Sequence, residues 1–270
     1  MTNNLVLSLT AFLALVPASI LPYRRPEGHR DLLFWCLLGV AVAGPVLYSV
    51  VAFRTVWQTG FAGALWISAA ASAALFAGLA AATREAWRLA PLLLPYLCLL
   101  AFIAIVWGRV PGQADVTASP AGWLAVHIAV SVATYALCTL AAVASCAVML
   151  QERAVKRKRS DGLSSRLPPI ADAERLEFRL LMAAEAVLGG GIVTGMALQV
   201  LASGRLLAFD HKTALSLLAF AVIAVLLTLR ARSGLRGQRA ARLVLAAYLL
   251  LTLAYPGVKF VTDVLIGGAA

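Results

Sequence analysis

Residues 205–242 decide the fold, and they read RLLAFDHKTALSLLAFAVIAVLLTLRARSGLRGQRAAR. A polar cluster, Asp210-His211-Lys212, is followed by an apolar segment that continues to Leu229 and then by several arginines. About 20 helical residues cover the roughly 30 Å of hydrocarbon in a membrane, so this segment is long enough to span one. Basic residues collect on the cytoplasmic side, so the arginine-rich end predicts a cytoplasmic location and places His211 at the opposite surface.

The rest of the chain repeats this pattern of apolar segments. Of its 270 residues, 62% are hydrophobic and 13% are charged, whereas soluble domains are roughly half apolar and about a quarter charged. Lipid offers the backbone no hydrogen-bond partners, so such segments must be helical. The predicted fold is all-α, a polytopic helical membrane protein with about eight transmembrane helices. The predicted segments are 3–21, 31–52, 61–82, 89–107, 122–150, 179–202, 212–230 and 241–265.

Lysine and arginine are distributed unevenly over the connections between these segments. Of the 23 basic residues, 18 lie in alternate connections, the longest of which is a basic loop at 151–178. This asymmetry predicts that those connections are cytoplasmic and that both termini are extracytoplasmic. It also accounts for the net charge of +11 without nucleic-acid binding. The predicted location is the bacterial inner (cytoplasmic) membrane, crossed several times.

Polar residues inside the apolar segments give no sign of enzyme chemistry. The four cysteines lie in apolar segments without a CxxC pair, so neither a redox dithiol nor covalent haem attachment is indicated. No nucleophile–base pair is recognisable, and no catalytic residue is assigned. Glu185 lies within the sixth segment near its cytoplasmic end, where a functional role and a contact with the membrane surface are both open. The nearby glycines predict close helix packing: Gly189, Gly190, Gly191 and Gly195.

Two of the three histidines are predicted to lie near the extracytoplasmic surface on different helices. His127 lies about one turn into the fifth segment, and His211 begins the seventh. One face of the fifth helix carries residues spaced by four: Trp123, His127, Ser131 and Tyr135. Haem iron accepts two neutral imidazoles, one on each face of the ring, beside apolar and aromatic groups. A zinc site would need further ligands, and hydrogen bonding at the membrane interface is an ordinary role for histidine, so these alternatives stay open here.

Five stretches of the second half resemble one family of membrane proteins. They are HIAVSVATY at 127–135, LPPIADAERLEFR at 167–179, GIVTG at 191–195, FDHKTALS at 209–216 and LRGQRAA at 235–241. In this order they resemble the cytochrome c assembly family, the CcmC/CcsA-type haem-handling membrane proteins, and most closely its eight-span HemX-like branch. The resemblance covers about half of the chain, and the first four segments match in hydropathy only.

The resemblance implies a haem site at the extracytoplasmic ends of the fifth and seventh segments. His127 corresponds to the family's external axial ligand, and residues 209–212 fall where its tryptophan-rich motif ends. The implied cofactor is haem b, with His127 and His211 as the metal ligands. The other implied haem-binding residues have three roles. Trp123, Tyr135 and Phe209 would form the walls around the haem, and Asp210 would orient an imidazole. Lys212 and Arg205 would pair with the haem propionates.

Three departures from the family pattern bear on function. The tryptophans of the motif are absent, no external histidine follows the last segment, and Leu229 stands where fuller members have an inner histidine. The predicted function is haem binding and handling in c-type cytochrome maturation or haem homeostasis, with His211 replacing the missing ligand. The alternatives are a regulatory or scaffold protein that controls haem synthesis through the 151–178 loop, and a small-molecule transporter.

The sequence divides into two predicted halves. Residues 1–120 form a four-span N-terminal half, and residues 121–270 form a four-span half that resembles the cytochrome c assembly proteins and contains the 151–178 loop. The expected partners are haem, membrane lipid and other proteins of cytochrome c maturation or haem synthesis, and nucleic acid is not among them.

Overall fold

The computed structural model describes residues 2–25, 30–55, 60–108, 122–158, 162–203 and 211–261, without the side chains of residues 2–4, 53–55, 201–203 and 211–212. Within these ranges the chain is helical and contains no strand. Eight of the described helices are long and apolar enough to cross a membrane. The predicted all-α, multi-pass membrane architecture is confirmed.

The long helices follow the predicted segments in order. They are α1 (Thr2–Arg24), α2 (Leu32–Thr55), α3 (Phe61–Ala82), α4 (Ala90–Trp107), α5 (Gly122–Lys156), α6 (Ile170–Ser203), α7 (His211–Ser233) and α8 (Gly237–Thr252). A π-helical turn at Leu253–Gly257 joins α8 to the short α9 (Val258–Phe260). Short 3-10 helices precede α4 at Ala86–Leu89 and α6 at Ser164–Arg166.

The connection between α5 and α6 is shorter than the loop predicted at 151–178. The α5 helix continues to Lys156, and α6 begins at Ile170, directly after two prolines. Charge alone favoured a solvated loop, but Arg153 and Lys156 lie in the last turn of α5, where the helix dipole favours cations. Proline has no N–H and is tolerated at a helix start, so Pro168-Pro169 marks the beginning of α6.

One end of the bundle holds the connections α1–α2, α3–α4, α5–α6 and α7–α8, and we call it the basic end. Contacts between separate connections show that they lie together. Tyr23 at the end of α1 donates a hydrogen bond to the Pro91 carbonyl of α4 at 2.6 Å. Arg30 before α2 donates to the Thr83 carbonyl after α3 at 3.0 Å. The side of the membrane that this end faces stays a prediction.

A carboxylate fixes the start of α2 at the basic end. Asp31 accepts a hydrogen bond from the Phe34 backbone N–H at 3.0 Å, as an N-cap residue does. This backbone hydrogen bond, followed by the nearby Arg25 guanidinium, lowers the pKa of Asp31 below its ordinary value. The interaction is therefore present near neutral pH and is lost as the pH falls through that lowered pKa.

The α5 helix is the centre of the bundle. Helices α1–α4 contact one another, helices α5–α8 do the same, and α3 and α4 contact α5. Of the apolar window of α5, 78% is buried, against 17% for α7 and 22% for α1, so the lipid-facing surface belongs to the outer helices. One continuous core joins both groups, and the predicted division into residues 1–120 and 121–270 stays an interpretation.

Glycines in α6 permit the close approach to α5 that their spacing predicts. A Cβ atom at Gly191 would stand 3.4 Å from Cγ1 of Val130, and one at Gly195 would stand 3.1 Å from Cε1 of His127. A Cβ atom at Gly190 would have nothing within 4 Å. Gly191 and Gly195 therefore form the contact face, and they hold the His127 ring directly against α6.

Candidate functional site

A cavity of about 380 Å³ lies between α5, α6, α7 and the end of α8, away from the basic end. Sites for small molecules and cofactors have volumes of roughly 300–1,000 Å³. The wall combines apolar side chains with hydroxyl groups and one imidazole. Its residues are His127, Ser131, Thr134, Tyr135, Leu188, Gly191, Ile192, Gly195, Met196, Leu198, Gln199, Thr213, Ser216, Leu217, Leu251, Ala254 and Tyr255.

The α5 helix turns the predicted face toward this cavity. His127, Ser131 and Tyr135 all line it, four residues apart. Trp123, one turn earlier, is 46% exposed and is not part of the wall. The Ser131 hydroxyl donates to the His127 carbonyl at 2.8 Å, so its proton is used within the helix. The imidazole of His127 is therefore the polar group of this face with the greatest capacity to hold a ligand.

A hydrogen-bond chain orients the ring of His127. Its Nδ1 lies 3.0 Å from the Thr194 hydroxyl oxygen, and that hydroxyl donates its own proton to the Gly191 carbonyl, also at 3.0 Å. With the Thr194 proton directed to the Gly191 carbonyl, we assign the tautomer in which Nδ1 carries a hydrogen and donates it to the Thr194 oxygen. The lone pair of the neutral ring then lies on Nε2, which has no hydrogen-bond partner among the described residues.

This arrangement matches the usual surroundings of a metal-bound histidine. Such a ring binds through one nitrogen and donates the N–H of the other to a protein oxygen, which fixes its orientation. Here Thr194 supplies that oxygen, and the His127 ring packs against Gly195. Sequence reasoning missed Thr194, although it lies in the GIVTG stretch, because helix spacing does not reveal which neighbouring helix α6 faces.

A chain of tyrosines leads from the cavity into the core. Tyr135 lines the cavity and accepts a hydrogen bond from the Tyr248 hydroxyl at 3.1 Å. The Tyr248 oxygen also lies 2.5 Å from that of Tyr96 and accepts a hydrogen bond from Thr139 at 3.2 Å. Tyr255 packs beside Tyr135, with ring centroids 6.0 Å apart. The chain connects the cavity wall, through α8, to α4 in the first half of the protein.

The π-helical turn after α8 forms part of the cavity wall. Pro256 lies within the turn and cannot donate the backbone hydrogen bond that a regular helix would need there. A single π turn is the usual way in which a helix absorbs such an interruption, often beside a functional site. Two of its residues, Ala254 and Tyr255, face the cavity. The sequence analysis did not identify this turn or the role of Tyr255.

Most residues proposed for the second half of the site lie outside the described part of the chain. The structure does not describe Arg205, Phe209 or Asp210, and it does not describe the side chains of His211 and Lys212. The backbone places His211 at the first position of α7, and Thr213, Ser216 and Leu217 of the same helix line the cavity. The second metal ligand therefore stays a prediction.

Two further carboxylates lie within α6, nearer the basic end. Glu177 is 1% exposed, and its Oε2 lies 3.9 Å from the Arg230 guanidinium of α7. Both carboxyl oxygens of Glu185 are buried and have no hydrogen-bond partner among the described residues. Sequence analysis placed Glu177 before the sixth segment, because it predicted the start of that segment at 179. The observed start at Ile170 brings Glu177 into the helix.

The fold and the cavity define a multi-pass helical membrane protein with a cofactor-sized site near one end of its bundle. The chain matches the Cytochrome C assembly protein family over residues 31–266 and belongs to that family. The match begins before α2, so it extends well beyond the second half that carries the sequence motifs. Membership supports a role in the maturation of c-type cytochromes, where the family handles haem.

A similar protein comes from Azospirillum brasilense and is described as "Uncharacterized 28.8 kDa protein in nifR3-like 5'region". It is 52% identical over 271 residues, which cover 99% of this chain and 100% of the relative. No solved structure matches the chain. The HemX-like branch stays a prediction, because the family match does not distinguish branches.

Proposed function

We propose that this protein binds haem b in the cavity between α5, α6, α7 and α8 during c-type cytochrome maturation in the bacterial inner membrane. The observation that carries this proposal is His127, whose free Nε2 and tethered Nδ1 lie on the wall of a cofactor-sized cavity. The charge asymmetry of the connections supports an extracytoplasmic position for the cavity.

The residues present suit a flat, largely apolar group with one metal-binding face. His127 would bind the iron, while Thr194 keeps its ring in the required tautomer and orientation. Leu188, Ile192 and Leu217 would contact the macrocycle and exclude water. Bound haem would supply the iron, which His127 and the proposed second histidine would hold.

His211 is the proposed second ligand, and it begins the helix whose next turn lines the cavity. Arg205 and Lys212 are proposed to pair with the propionates, since cations form strong charge-assisted hydrogen bonds with carboxylates. Asp210 is proposed to orient an imidazole, and Phe209 and Trp123 to supply aromatic contact.

The test is the visible absorption spectrum of the detergent-purified, haem-reconstituted protein. The wild type should show the Soret band of low-spin, bis-imidazole iron. His127→Gly should lose that band or shift it to a high-spin position, and added imidazole should restore it, because the free base can occupy the vacated coordination site. His211→Ala should also shift the band to a high-spin position.

Two controls make the result specific. His29→Ala removes the third histidine of the chain, which is predicted to lie in a cytoplasmic connection, and it should leave the spectrum unchanged. Ser216→Ala changes the cavity wall without removing a proposed ligand. If His127→Gly keeps the wild-type spectrum, His127 is not a ligand and the proposal fails.

A further inference from the structure

A second concave surface lies at the basic end, between the end of α5 and the start of α8. It has a volume of about 550 Å³, and we call it the basic cavity. It is formed by α5, the α7–α8 connection and the first turns of α8. The charged side chains that line it are Glu152, Lys156, Arg236, Arg239 and Arg242.

The four cations of the basic cavity have no carboxylate within ion-pair distance in the described part of the chain. Other basic residues at this end do have partners: Arg88 pairs with Glu85 at 3.5 Å, and Arg175 pairs with Asp172 at 3.4 Å. The cavity therefore carries a net positive charge, with four cations against the single Glu152 carboxylate.

The acidic groups nearest to the cavity are already used by the backbone. The Glu152 carboxylate accepts a hydrogen bond from the Gln238 N–H at 3.2 Å, and Glu174 accepts one from the Gly237 N–H at 2.8 Å. These contacts fix the start of α8, whose first turn contains no acidic residue. Because the backbone donors are taken, an incoming anion would meet arginine and lysine side chains.

The position of one arginine adds an electrostatic cost that an anion would relieve. Arg239 lies in the first turn of α8, where the helix dipole is positive and disfavours cations. Membrane topology requires basic residues at this end, but it does not require four of them to converge on one cavity. One guanidinium group can donate two parallel hydrogen bonds to two oxygens of a phosphate. The cavity is therefore better suited to phosphate than to a monovalent halide.

Two glycines and two hydrogen bonds to neighbouring helices shape the connection that forms the cavity. Gly234 and Gly237 have φ angles of +66° and +67°, a region that L side chains rarely adopt. A Cβ atom at Gly237 would also stand 2.2 Å from the Glu152 carboxylate. The Arg230 guanidinium of α7 donates to the Glu174 carbonyl of α6 at 2.8 Å and holds the adjoining helix end. The cations are therefore presented from a fixed backbone.

We propose that the basic cavity binds a phosphate group, presented either by an anionic lipid head group or by a small soluble phosphate compound. Membrane phospholipids carry their phosphates at the depth where helix ends emerge, and anionic head groups attract basic segments there. The proposal does not depend on haem binding.

The test measures ligand binding to the full chain in non-ionic detergent. The probes are short-chain phosphatidylglycerol, short-chain phosphatidylcholine of equal length, glycerol phosphate and inorganic phosphate. Phosphatidylglycerol should bind at least about tenfold more tightly than phosphatidylcholine, and Arg239→Gln/Arg242→Gln should remove about tenfold of that affinity. Equally tight binding of glycerol phosphate would identify the soluble source, and its failure to bind would identify the lipid source.

The matched control is Arg153→Gln/Arg175→Gln, which removes the same charge from exposed positions outside the basic cavity. It should weaken phosphatidylglycerol binding less than twofold. Equal losses in both double variants would mean that the anion responds only to net charge, and the proposal would be overturned. It would also be overturned if none of the anionic probes binds more tightly than phosphatidylcholine. Thermal unfolding of both variants verifies that they fold.

Discussion

His127 and Thr194 lie 67 residues apart in sequence, and the His127 ring packs so closely on Gly195 that a Cβ atom there would stand 3.1 Å from Cε1 of the ring. The sequence predicted that His127 lies on one helix face with residues spaced by four. It also predicted close packing at the glycine motif that contains Thr194. It did not identify the pair, since which two helices pack together is a property of the tertiary structure. Trp123 shows the same limit, because a shared helix face did not make it part of the cavity wall.

Thr194→Val tests the role of the hydroxyl as the acceptor for Nδ1. Valine keeps the shape of threonine but removes the oxygen, so the ring loses its orienting partner. Such partners contribute about 10–100-fold to metal affinity, and we expect the dissociation constant for haem to rise by about tenfold or more. Thr194→Ser keeps the oxygen and should stay close to the wild type. A haem titration followed at the Soret band measures both, and equal affinities in the two variants would contradict this role.

At the scale of helices, charge and apolar length predicted the existence and order of the elements well. They failed at the ends of α5 and α6, where basic and acidic residues continue a helix that hydropathy alone would stop. Glu177 lies in that extension and is buried against Arg230 of α7. The π turn at Pro256 was also missed, because proline predicts an interruption without showing what geometry absorbs it.

Arg230→Met tests the contacts by which Arg230 joins α7 to α6, namely its pair with Glu177 and its hydrogen bond to the Glu174 carbonyl. The Arg230 side chain is 11% exposed, so its loss leaves the Glu177 carboxylate buried without its nearest cation. Breaking one side of such a pair costs about 3 kcal/mol or more in free energy of unfolding. Arg175→Met is the control, since its pair with Asp172 is 66% and 32% exposed, and exposed pairs contribute less than about 1 kcal/mol. Denaturant titrations in detergent measure both, and similar losses would refute the assignment.

At the scale of the whole molecule, the positive residues predicted which connections share an end, and contacts such as Tyr23 with Pro91 place those connections together. Which side of the membrane the basic end faces is a different property. It arises during insertion, from the distribution of charge across the membrane, and the contacts within a folded bundle are the same in either orientation. The orientation therefore needs an experiment on intact cells.

The α5 helix offers matched positions for that experiment. In a variant whose four cysteines are replaced by serine, Gly122→Cys and Arg153→Cys would place one thiol near each end of the helix. Both positions are exposed, and a Cβ atom at Gly122 has nothing within 4 Å. A membrane-impermeant maleimide should label Gly122→Cys on intact cells but Arg153→Cys only after lysis. The reverse pattern would place the cavity on the cytoplasmic side.

The tyrosine chain has a consequence for any attempt to shorten this protein. Tyr96 comes from α4, whereas Tyr135 and Tyr248 come from α5 and α8. Deleting α1–α4 would remove Tyr96, one of the three hydroxyl partners of Tyr248, while Tyr135 and Thr139 would remain. It would also expose the face of α5 and α8 that now packs against the first four helices. We therefore expect that deleting the first four helices destabilises the remaining four, because one continuous core joins both groups.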